Sequence, residues 1–551
     1  MLIRMIVAFD HFRLWLLVLA IFFTGCAKST VPDDAGTTAT TEAAVTEFKL
    51  IPRDVLFGNP ERTQARISPD GKWLSFLAPF EGVMNVWVGP IDDVAAAEPV
   101  TEETVRPIPQ YHWAYDSQHI LYPQDKDGNE NFHVYATDVQ TRETKDLTPI
   151  DGVQARVTLI DRAHPDEILV AINDRTPRHH DVYRIDTRTG ERALVFENTA
   201  GLVQMQADAG FHVRLAVRVT PDGGQSVLTR DGPDEAWYEL VRWNLQDAAA
   251  SRTIGFSRDG RTIYLVDSRR ADTGRLFAYA LDGAAPARYD ALAADTRADA
   301  GAVVLDPRTG RPQAVAFDYA RRRWKLLDDA IRADWEVLSG LDEGEMSIVS
   351  RDLDDERWIV SYDRADGPTA YYLYRRGERR AALLFTSRAA LETLPLAGMR
   401  AVVIRARDGL DLRTLLESIP PYWEPIRAMF EARVGRLDER ARLELMSPLT
   451  RVEEIRRPLL IGQGRNDPRV KEAQSRRIVE AMEARGLPVT YVLFPDEGHG
   501  FARPENNLAF FAIAEAFLAR HLGGRCEPIG DAVRRSSARI EAGAELIPGL
   551  E

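Results

Sequence analysis

Short apolar runs separated by polar turns occupy the chain from Phe48 to about Gly398. The clearest unit, residues 67–91, has a Ser-Pro-Asp-Gly turn at 68–71, followed by two β-rich runs. Pro presets φ in such a turn, and Gly accepts a positive φ. Looser copies of the unit begin near residues 115, 164, 220, 257, 306 and 350.

The copies recur with a period that indicates their architecture. Ser68 and Ser350 lie 282 residues apart, so six intervals give 47 residues per unit. A unit of this length with about four short strands is typical of a β-propeller blade. The pattern predicts an all-β seven-bladed propeller over residues 48–398. An irregular all-β sandwich is the alternative, whereas a helical solenoid would need a 3.6-residue periodicity that this segment lacks.

A different pattern begins after the propeller. Apolar runs and helical patterns alternate there, at 457–470 (apolar), 471–486 (helical), 487–501 (apolar) and 506–522 (helical). This order predicts parallel strands in an α/β fold, whose chemistry lies at the carboxyl ends of the strands. We assign residues 399–530 to this second domain and residues 531–551 to a C-terminal tail.

Two residues with catalytic potential follow the two predicted strands. Asp467 lies just after the first strand and His499 just after the second. An Asp that orients the Nδ1 of a His, and a His that takes a proton from a nucleophile, form the relay of a serine hydrolase. The chain order Ser…Asp…His is that of α/β-hydrolases. Asp467 and His499 are therefore the candidate acid and base.

Composition narrows the classes of function. The chain has 551 residues, of which 45% are hydrophobic and 28% charged, as in soluble globular proteins of two or three domains. The formal net charge of −14 argues against nucleic acid as a partner, because a phosphate binder needs a basic face. No H-E-x-x-H or paired-cysteine spacing occurs, so we predict neither a metal nor a cofactor.

The N-terminus has the pattern of an export signal. Its apolar run, residues 14–23, is too short for a permanent membrane span but fits a secretory leader. The following Thr24-Gly25-Cys26 resembles the lipobox of bacterial lipoproteins, in which the Cys becomes lipidated. We therefore expect a lipoprotein signal peptide at 1–26, a lipid anchor at Cys26 and a flexible tether at 27–47. An ordinary signal peptide that happens to contain a Cys is the alternative.

These features imply an exported protein of the bacterial cell envelope, facing the periplasm and held to a membrane by its lipid. Only one other cysteine exists, Cys526, so the mature chain would have no internal disulfide. No feature of the sequence specifies an oligomeric state.

Several motifs together resemble one family. They are "IPRDVLFGNPER" (51–62), the propeller pattern, "GRNDPRV" (464–470), "DEGHGF" (496–501) and "GGRCEPIG" (523–530). The combination looks like the prolyl oligopeptidase family of serine peptidases, and within it like dipeptidyl-peptidase-like and acylaminoacyl-peptidase-like lipoproteins. The resemblance implies a propeller that caps the hydrolase and admits short peptides, with Asp467 and His499 as triad acid and base.

The chain departs from the family pattern at 405–425. Family members continue from a strand like "VVIRARDGLDL" through a His-Gly-Gly oxyanion loop to a Gly-x-Ser-x-Gly-Gly elbow. Here the sequence passes directly from Asp411-Leu412 to Thr414-Leu415, and G-x-S-x-G occurs nowhere. We therefore expect an incomplete α/β-hydrolase domain that lacks its nucleophile, is inactive as written, and exposes unpaired strand edges.

Several other residues are candidates for a replacement nucleophile or for a further site. Ser418 lacks the glycines of a nucleophile elbow, Ser447 fits a turn or cap, Ser475 fits a solvated helical position, and Cys526 has no nearby His. His179 and His180 are interpreted as surface residues. The acidic segment 124–135 could meet a peptide amine, but Tyr135 at its twelfth position disfavours calcium.

Three hypotheses follow for the function. In the first, the chain is a serine peptidase family member that has lost its activity. In the second, it is a non-catalytic envelope propeller that binds peptides or protein partners. In the third, it is an active hydrolase with a displaced nucleophile.

Overall fold

The computed structural model describes residues 50–281, 288–399, 420–436, 438–445, 452 and 454–550. The predicted signal peptide, the tether, Cys26, the junction at 412–414, Ser418 and Ser447 lie outside these residues.

Seven antiparallel sheets follow one another between residues 63 and 386, and each consists of consecutive strands. The first three sheets contain β1 (Thr63–Ile67), β2 (Trp73–Phe80), β3 (Val83–Pro90), β4 (Glu98–Pro99), β5 (His112–Trp113), β6 (His119–Gln124), β7 (His133–Asp138), β8 (Thr144–Asp146), β9 (Ala155–Ile160), β10 (Glu167–Thr176), β11 (His179–Asp186) and β12 (Arg192–Phe196). The next two contain β13 (Gln204–Ala207), β14 (Val213–Val219), β15 (Gln225–Thr229), β16 (Tyr238–Trp243), β17 (Arg252–Phe256), β18 (Thr262–Asp267), β19 (Arg275–Ala280) and β20 (Tyr289–Ala293). The last two contain β21 (Ala300–Leu305), β22 (Pro312–Asp318), β23 (Arg322–Leu326), β24 (Glu345–Arg351), β25 (Arg357–Asp363), β26 (Ala370–Arg375) and β27 (Arg380–Thr386).

The predicted turn between the first two strands of a blade has a defined chemistry. Ser68 Oγ donates to Asp70 over 2.6 Å and accepts the N–H of Trp73 over 3.0 Å. The fifth blade repeats both bonds at Ser257, which donates to Asp259 and accepts the N–H of Thr262. Such side-chain bonds hold the turn while the ladder of the blade forms.

Apolar side chains between neighbouring blades close the sheets into a ring. Each of seven buried clusters joins one blade to the next along the chain. The last cluster brings Ile359 and Leu373 of the seventh blade against Phe76 of the first. There the N–H of Ile67 also donates to Ser350 Oγ over 3.1 Å. The prediction of a seven-bladed propeller is confirmed.

The second domain is built on a mixed sheet. β28 (Leu459–Gly464) and β29 (Val489–Phe494) run parallel, and β30 (Arg539–Ala542) is antiparallel to β29. The helices in the described residues are α1 (Arg53–Phe57), α2 (Arg332–Ser339), α3 (Arg427–Val434), α4 (Arg440–Leu445), α5 (Glu472–Glu483), α6 (Pro504–Leu522) and α7 (Ala532–Arg535). Among the residues that the structure describes, no helix combines the length and the apolar character needed to cross a membrane.

Strand β29 is the core of this domain. Val492 and Phe494 face α6, while Tyr491 and Leu493 face α5, so both sides of the strand are covered. A strand buried on both faces is typical of an α/β sheet. By contrast, Leu459, Leu460 and Ile461 of β28 are only partly buried, and within the described ranges β28 pairs with β29 alone.

The two ends of the described chain join the second domain. The segment 531–551, which the sequence analysis set apart as a tail, supplies β30 and buries Ile547 and Leu550 against α6. Helix α1 precedes the first blade but packs on α6. Arg53 pairs with Glu515 over 2.8 Å, and its guanidinium also donates to the carbonyls of Glu527 and Pro528. These long-range contacts have no local pattern in the sequence.

Candidate active site

Asp467 lies in the loop that follows β28. Its Oδ1 accepts the backbone N–H groups of Arg469 and Val470 over 2.8 and 2.9 Å. These two bonds form a tight local turn and fix the orientation of a buried carboxylate.

A side-chain bridge supports the same loop from α5. Ser475 Oγ donates to Gln463 Oε1 over 2.7 Å, and Gln463 Nε2 donates to the carbonyl of Val470 over 3.0 Å. The interpretation of Ser475 as a solvated helical position is wrong, because α5 turns this residue inward against the loop.

His499 lies in the loop that follows β29. Its Nδ1 is 2.9 Å from Asp467 Oδ2, within hydrogen-bond distance. The Asp is buried, whereas the His side chain keeps about a fifth of its surface exposed, 22% against 7%. With Nδ1 engaged by the carboxylate, Nε2 is the nitrogen left to exchange a proton with another group.

Glu497, two residues before His499, shapes the His loop. Its buried carboxylate accepts the N–H groups of Ala502 and Arg503 over 3.1 and 2.8 Å and the side-chain amide of Asn506 over 2.9 Å. Burial raises the pKa of Glu497 above its usual value, although these hydrogen bonds oppose the shift. Sequence reasoning missed this residue, and its place in the "DEGHGF" motif is the only signal that could have found it.

The propeller directly contacts both loops that carry the candidate residues Asp467 and His499. Gly128 has a φ of +77° and packs so closely on Gly498 that a Cβ on either would collide with the other's backbone. Asn466 Nδ2 donates to the carbonyl of Asp127 over 2.8 Å. Glycines at such close approaches are needed because no side chain fits.

Three ion pairs extend this contact, and two of them join the propeller to the second domain. Arg106 lies between blades one and two, 3.3 Å from Glu497 and 3.0 Å from Asp125. Arg469 of the Asp loop lies 2.8 Å from Glu130 in the propeller. Asp125 and Glu130 belong to the acidic segment 124–135, which could meet a peptide amine, and both carboxylates already have cationic partners within the chain.

Tyr422 is a second partner of the Glu130 carboxylate. Its hydroxyl donates to Glu130 Oε2 over 2.7 Å. Burial and the neighbouring carboxylate raise the pKa of Tyr422 well above its usual value. The phenol therefore stays protonated as a hydrogen-bond donor at neutral pH.

The remaining candidate residues lie elsewhere. His180 is buried on β11, and burial lowers its pKa to about 3, so its interpretation as a surface residue is wrong. His180 belongs to strand β11, which turns its side chain into the blade, and not to an exposed turn. Cys526 is half-buried and packs beside the apolar core between β29 and α6.

A propeller set against an α/β domain, with an Asp–His pair at the ends of parallel strands, defines a propeller-capped α/β-hydrolase. The sequence model of the prolyl oligopeptidase family matches residues 415–525. The chain is 37% identical to dipeptidyl aminopeptidase BIII of Pseudoxanthomonas mexicana over an alignment of 680 residues, which covers 98% of this chain and 97% of the relative. It therefore belongs to the prolyl oligopeptidase family of serine peptidases.

More distant proteins agree with this placement. Dipeptidyl peptidase family member 6 of Caenorhabditis elegans is 24% identical, with 89% of each chain covered. A solved structure of a puromycin-hydrolyzing peptidase of Mycobacterium tuberculosis has a TM-score of 0.62 at 14% identity, covering 87% of this chain and 96% of that one. The structural likeness shows a shared fold.

Substitution of Glu497 by Gln tests its role in the His loop. We expect the free energy of unfolding to fall by about 1–3 kcal/mol at pH 7, because buried N–H donors lose an acceptor. Urea denaturation measures the loss. The control is Glu483→Gln at the exposed end of α5, which should change stability by less than about 0.5 kcal/mol. Equal stability of wild type and Glu497→Gln would contradict the assignment.

The same two proteins test the raised pKa of Glu497. A carboxyl whose pKa is higher in the folded than in the unfolded state binds its proton more tightly when folded. The free energy of unfolding of the wild type therefore rises as the pH falls through the raised pKa toward the ordinary value of 4.5. The Gln variant has no carboxyl at this position and lacks this rise. The difference in unfolding free energy should widen on acidification from pH 7. A difference that narrows would contradict the direction of the shift.

Proposed function

We propose that this chain descends from peptidases that hydrolyse short peptides through a serine nucleophile, and that it is inactive as written. The observation that carries the proposal is the Asp467–His499 pair, held 2.9 Å apart in a chain without a G-x-S-x-G elbow. The acid–base half of a triad is present, and the residue that it would activate is missing.

The lengths of the alignments support a missing segment. The alignment with the Pseudoxanthomonas enzyme spans 680 residues, whereas this chain has 551, so at least 129 aligned positions fall opposite gaps in this chain. The family model begins to match at residue 415, beside the junction that the sequence marks at 412–414. The part-exposed strand β28 is what a sheet that has lost its neighbouring strands would show.

The chemistry explains why this loss abolishes activity. In an intact site, Asp467 would hold the imidazole through Nδ1, while Nε2 would take the proton of the serine and later give it to the leaving amine. Removing the nucleophile of such a triad costs about a million-fold in turnover. Oxyanion donors, which the missing segment would also supply, account for a further factor of roughly a hundred to a thousand each.

The substrate class follows from the cap and from the relatives. The propeller loop 124–130 lies against both catalytic loops, so a substrate must enter between the domains or through the propeller. That restriction favours short peptides over folded proteins. The Pseudoxanthomonas relative is named a dipeptidyl aminopeptidase, and we infer release of dipeptides as the ancestral reaction.

Peptide hydrolysis by two forms of the chain tests this proposal. We expect no turnover of a dipeptidyl fluorogenic substrate by the chain itself, because it has no nucleophile. Insertion after Leu412 of the segment that the Pseudoxanthomonas relative carries there should restore turnover. His499→Ala in the restored protein should then reduce the rate by about ten-thousand-fold or more.

Turnover by the chain itself, abolished by His499→Ala, would contradict inactivity. A folded restored protein that shows no turnover would contradict the peptidase ancestry of the site. Specific peptide binding without hydrolysis by the unmodified chain would instead support the non-catalytic propeller hypothesis.

We propose also that Cys26 carries a lipid that holds the protein to a bacterial envelope membrane. The proposal is supported by the apolar run at 14–23 followed by Thr24-Gly25-Cys26. In a bacterial host, metabolic labelling with a fatty acid should label the wild type and leave Cys26→Ala unlabelled. Cys526→Ser is the matched control and should label as the wild type does. Labelling of Cys26→Ala would contradict the anchor.

A further inference from the structure

An exposed apolar patch lies on helices α1 and α6 of the second domain. Four large apolar side chains there are solvent-exposed: Leu50 (40%), Leu56 (37%), Leu518 (40%) and Leu522 (68%). We call these four residues the α1–α6 patch. The other large apolar side chains that are exposed in the described residues are Met399, at the start of the second domain, and six residues on separate propeller blades or their links: Val105, Leu194, Tyr238, Tyr289, Tyr319 and Leu383.

The packing of α1 on α6 shows how the four residues are arranged along the two helices. Phe57 stacks on Phe511 with ring centroids 3.9 Å apart, and Arg53 pairs with Glu515. The two helices are therefore antiparallel, and the chain before Arg53 runs toward the C-terminal end of α6. Leu50 lies in that direction, three residues before Arg53.

One face of α6 continues beyond the cover that α1 provides. Phe511, Glu515, Leu518 and Leu522 are spaced by four, three and four residues, which places them on the same face of the helix. Helix α1 covers the first two of these positions. Leu518 and Leu522 extend the face past the end of α1, and they are exposed for that reason.

Basic side chains surround the tip of this face. Arg520 and His521 lie in the last turn of α6, and Arg525 follows the Gly523-Gly524 pair, all of them exposed. Exposed leucines with arginines close by, here Arg520 and Arg525, are the pattern of a surface that rests in the interface of an anionic bilayer. The patch has this character although the chain as a whole has a formal net charge of −14.

We propose that the α1–α6 patch rests on the surface of the membrane and binds anionic phospholipid. The inference rests on the lipid anchor proposed at Cys26. Residues 27–49 connect that cysteine to Leu50, at the patch itself. For the tether that the sequence predicts there, the root-mean-square span would be roughly 25 Å, which would hold the patch close to the bilayer that carries the anchor. The patch would then add a second contact with that bilayer beside the one made by the lipid.

Vesicle binding by residues 27–551 tests the patch without the anchor. This chain keeps every residue that the structure describes and lacks both the apolar leader and Cys26. We expect it to sediment with vesicles of phosphatidylcholine and phosphatidylglycerol, and more weakly with phosphatidylcholine alone. The double variant Leu518→Ser/Leu522→Ser should reduce the partition coefficient about tenfold or more, because two apolar contacts with the interface are lost.

The matched control is Leu194→Ser/Leu383→Ser, which removes two exposed leucines from the propeller. It should bind vesicles as the wild type does. The single variant Leu522→Asp, at the most exposed position, provides a second test, and circular dichroism checks that each variant is folded.

Three results would overturn the proposal. The first is absence of binding of residues 27–551 to anionic vesicles, and the second is equal binding by the double variant. The third is a change of molecular mass in solution on Leu518→Ser/Leu522→Ser with no vesicle binding, which would assign the patch to a second copy of the chain. Because the truncated chain, residues 27–551, lacks Cys26, these results do not depend on lipidation. Fatty-acid labelling of the full chain tests the anchor separately.

Discussion

The parallel pairing of β28 with β29 is the constraint on which the site depends. Gly464 and Phe494, the last residues of the two strands, lie opposite each other, so the loops that follow begin side by side. Backbone bonds then tie the loops together, from Arg465 N–H to the Phe494 carbonyl and from Asn466 N–H to the Glu497 carbonyl. The 2.9 Å approach of His499 to Asp467 is a consequence of this register.

The propeller completes the environment of that pair. Gly128 of the propeller packs against Gly498 in the loop that carries His499, and Arg106 forms an ion pair with the buried Glu497 of the same loop. Arg469, two residues after the Asp, is held by Glu130 of the propeller. The two loops that carry Asp467 and His499 are thus fixed by their own strands on one side and by the propeller on the other.

Local patterns were enough to predict part of this structure. The turn bonds of Ser68 and the positions of Asp467 and His499 after apolar strands depend on residues close in sequence. The burial of Ser475 and His180, the packing of Arg53 on α6 and the addition of β30 to the sheet depend on partners far along the chain. Glu497 combines both kinds of contact, since its N–H donors at Ala502 and Arg503 are close in sequence, whereas its ion-pair partner Arg106 lies in the propeller.

Labelling of folded residues 27–551 with a fluorophosphonate probe tests the central claim most directly, with a heat-denatured sample as background. The account predicts no labelling above that background, because an Asp–His pair without its serine cannot activate a hydroxyl for attack on phosphorus. Labelling of one serine that disappears in His499→Ala would contradict it and would show that the pair serves a displaced nucleophile.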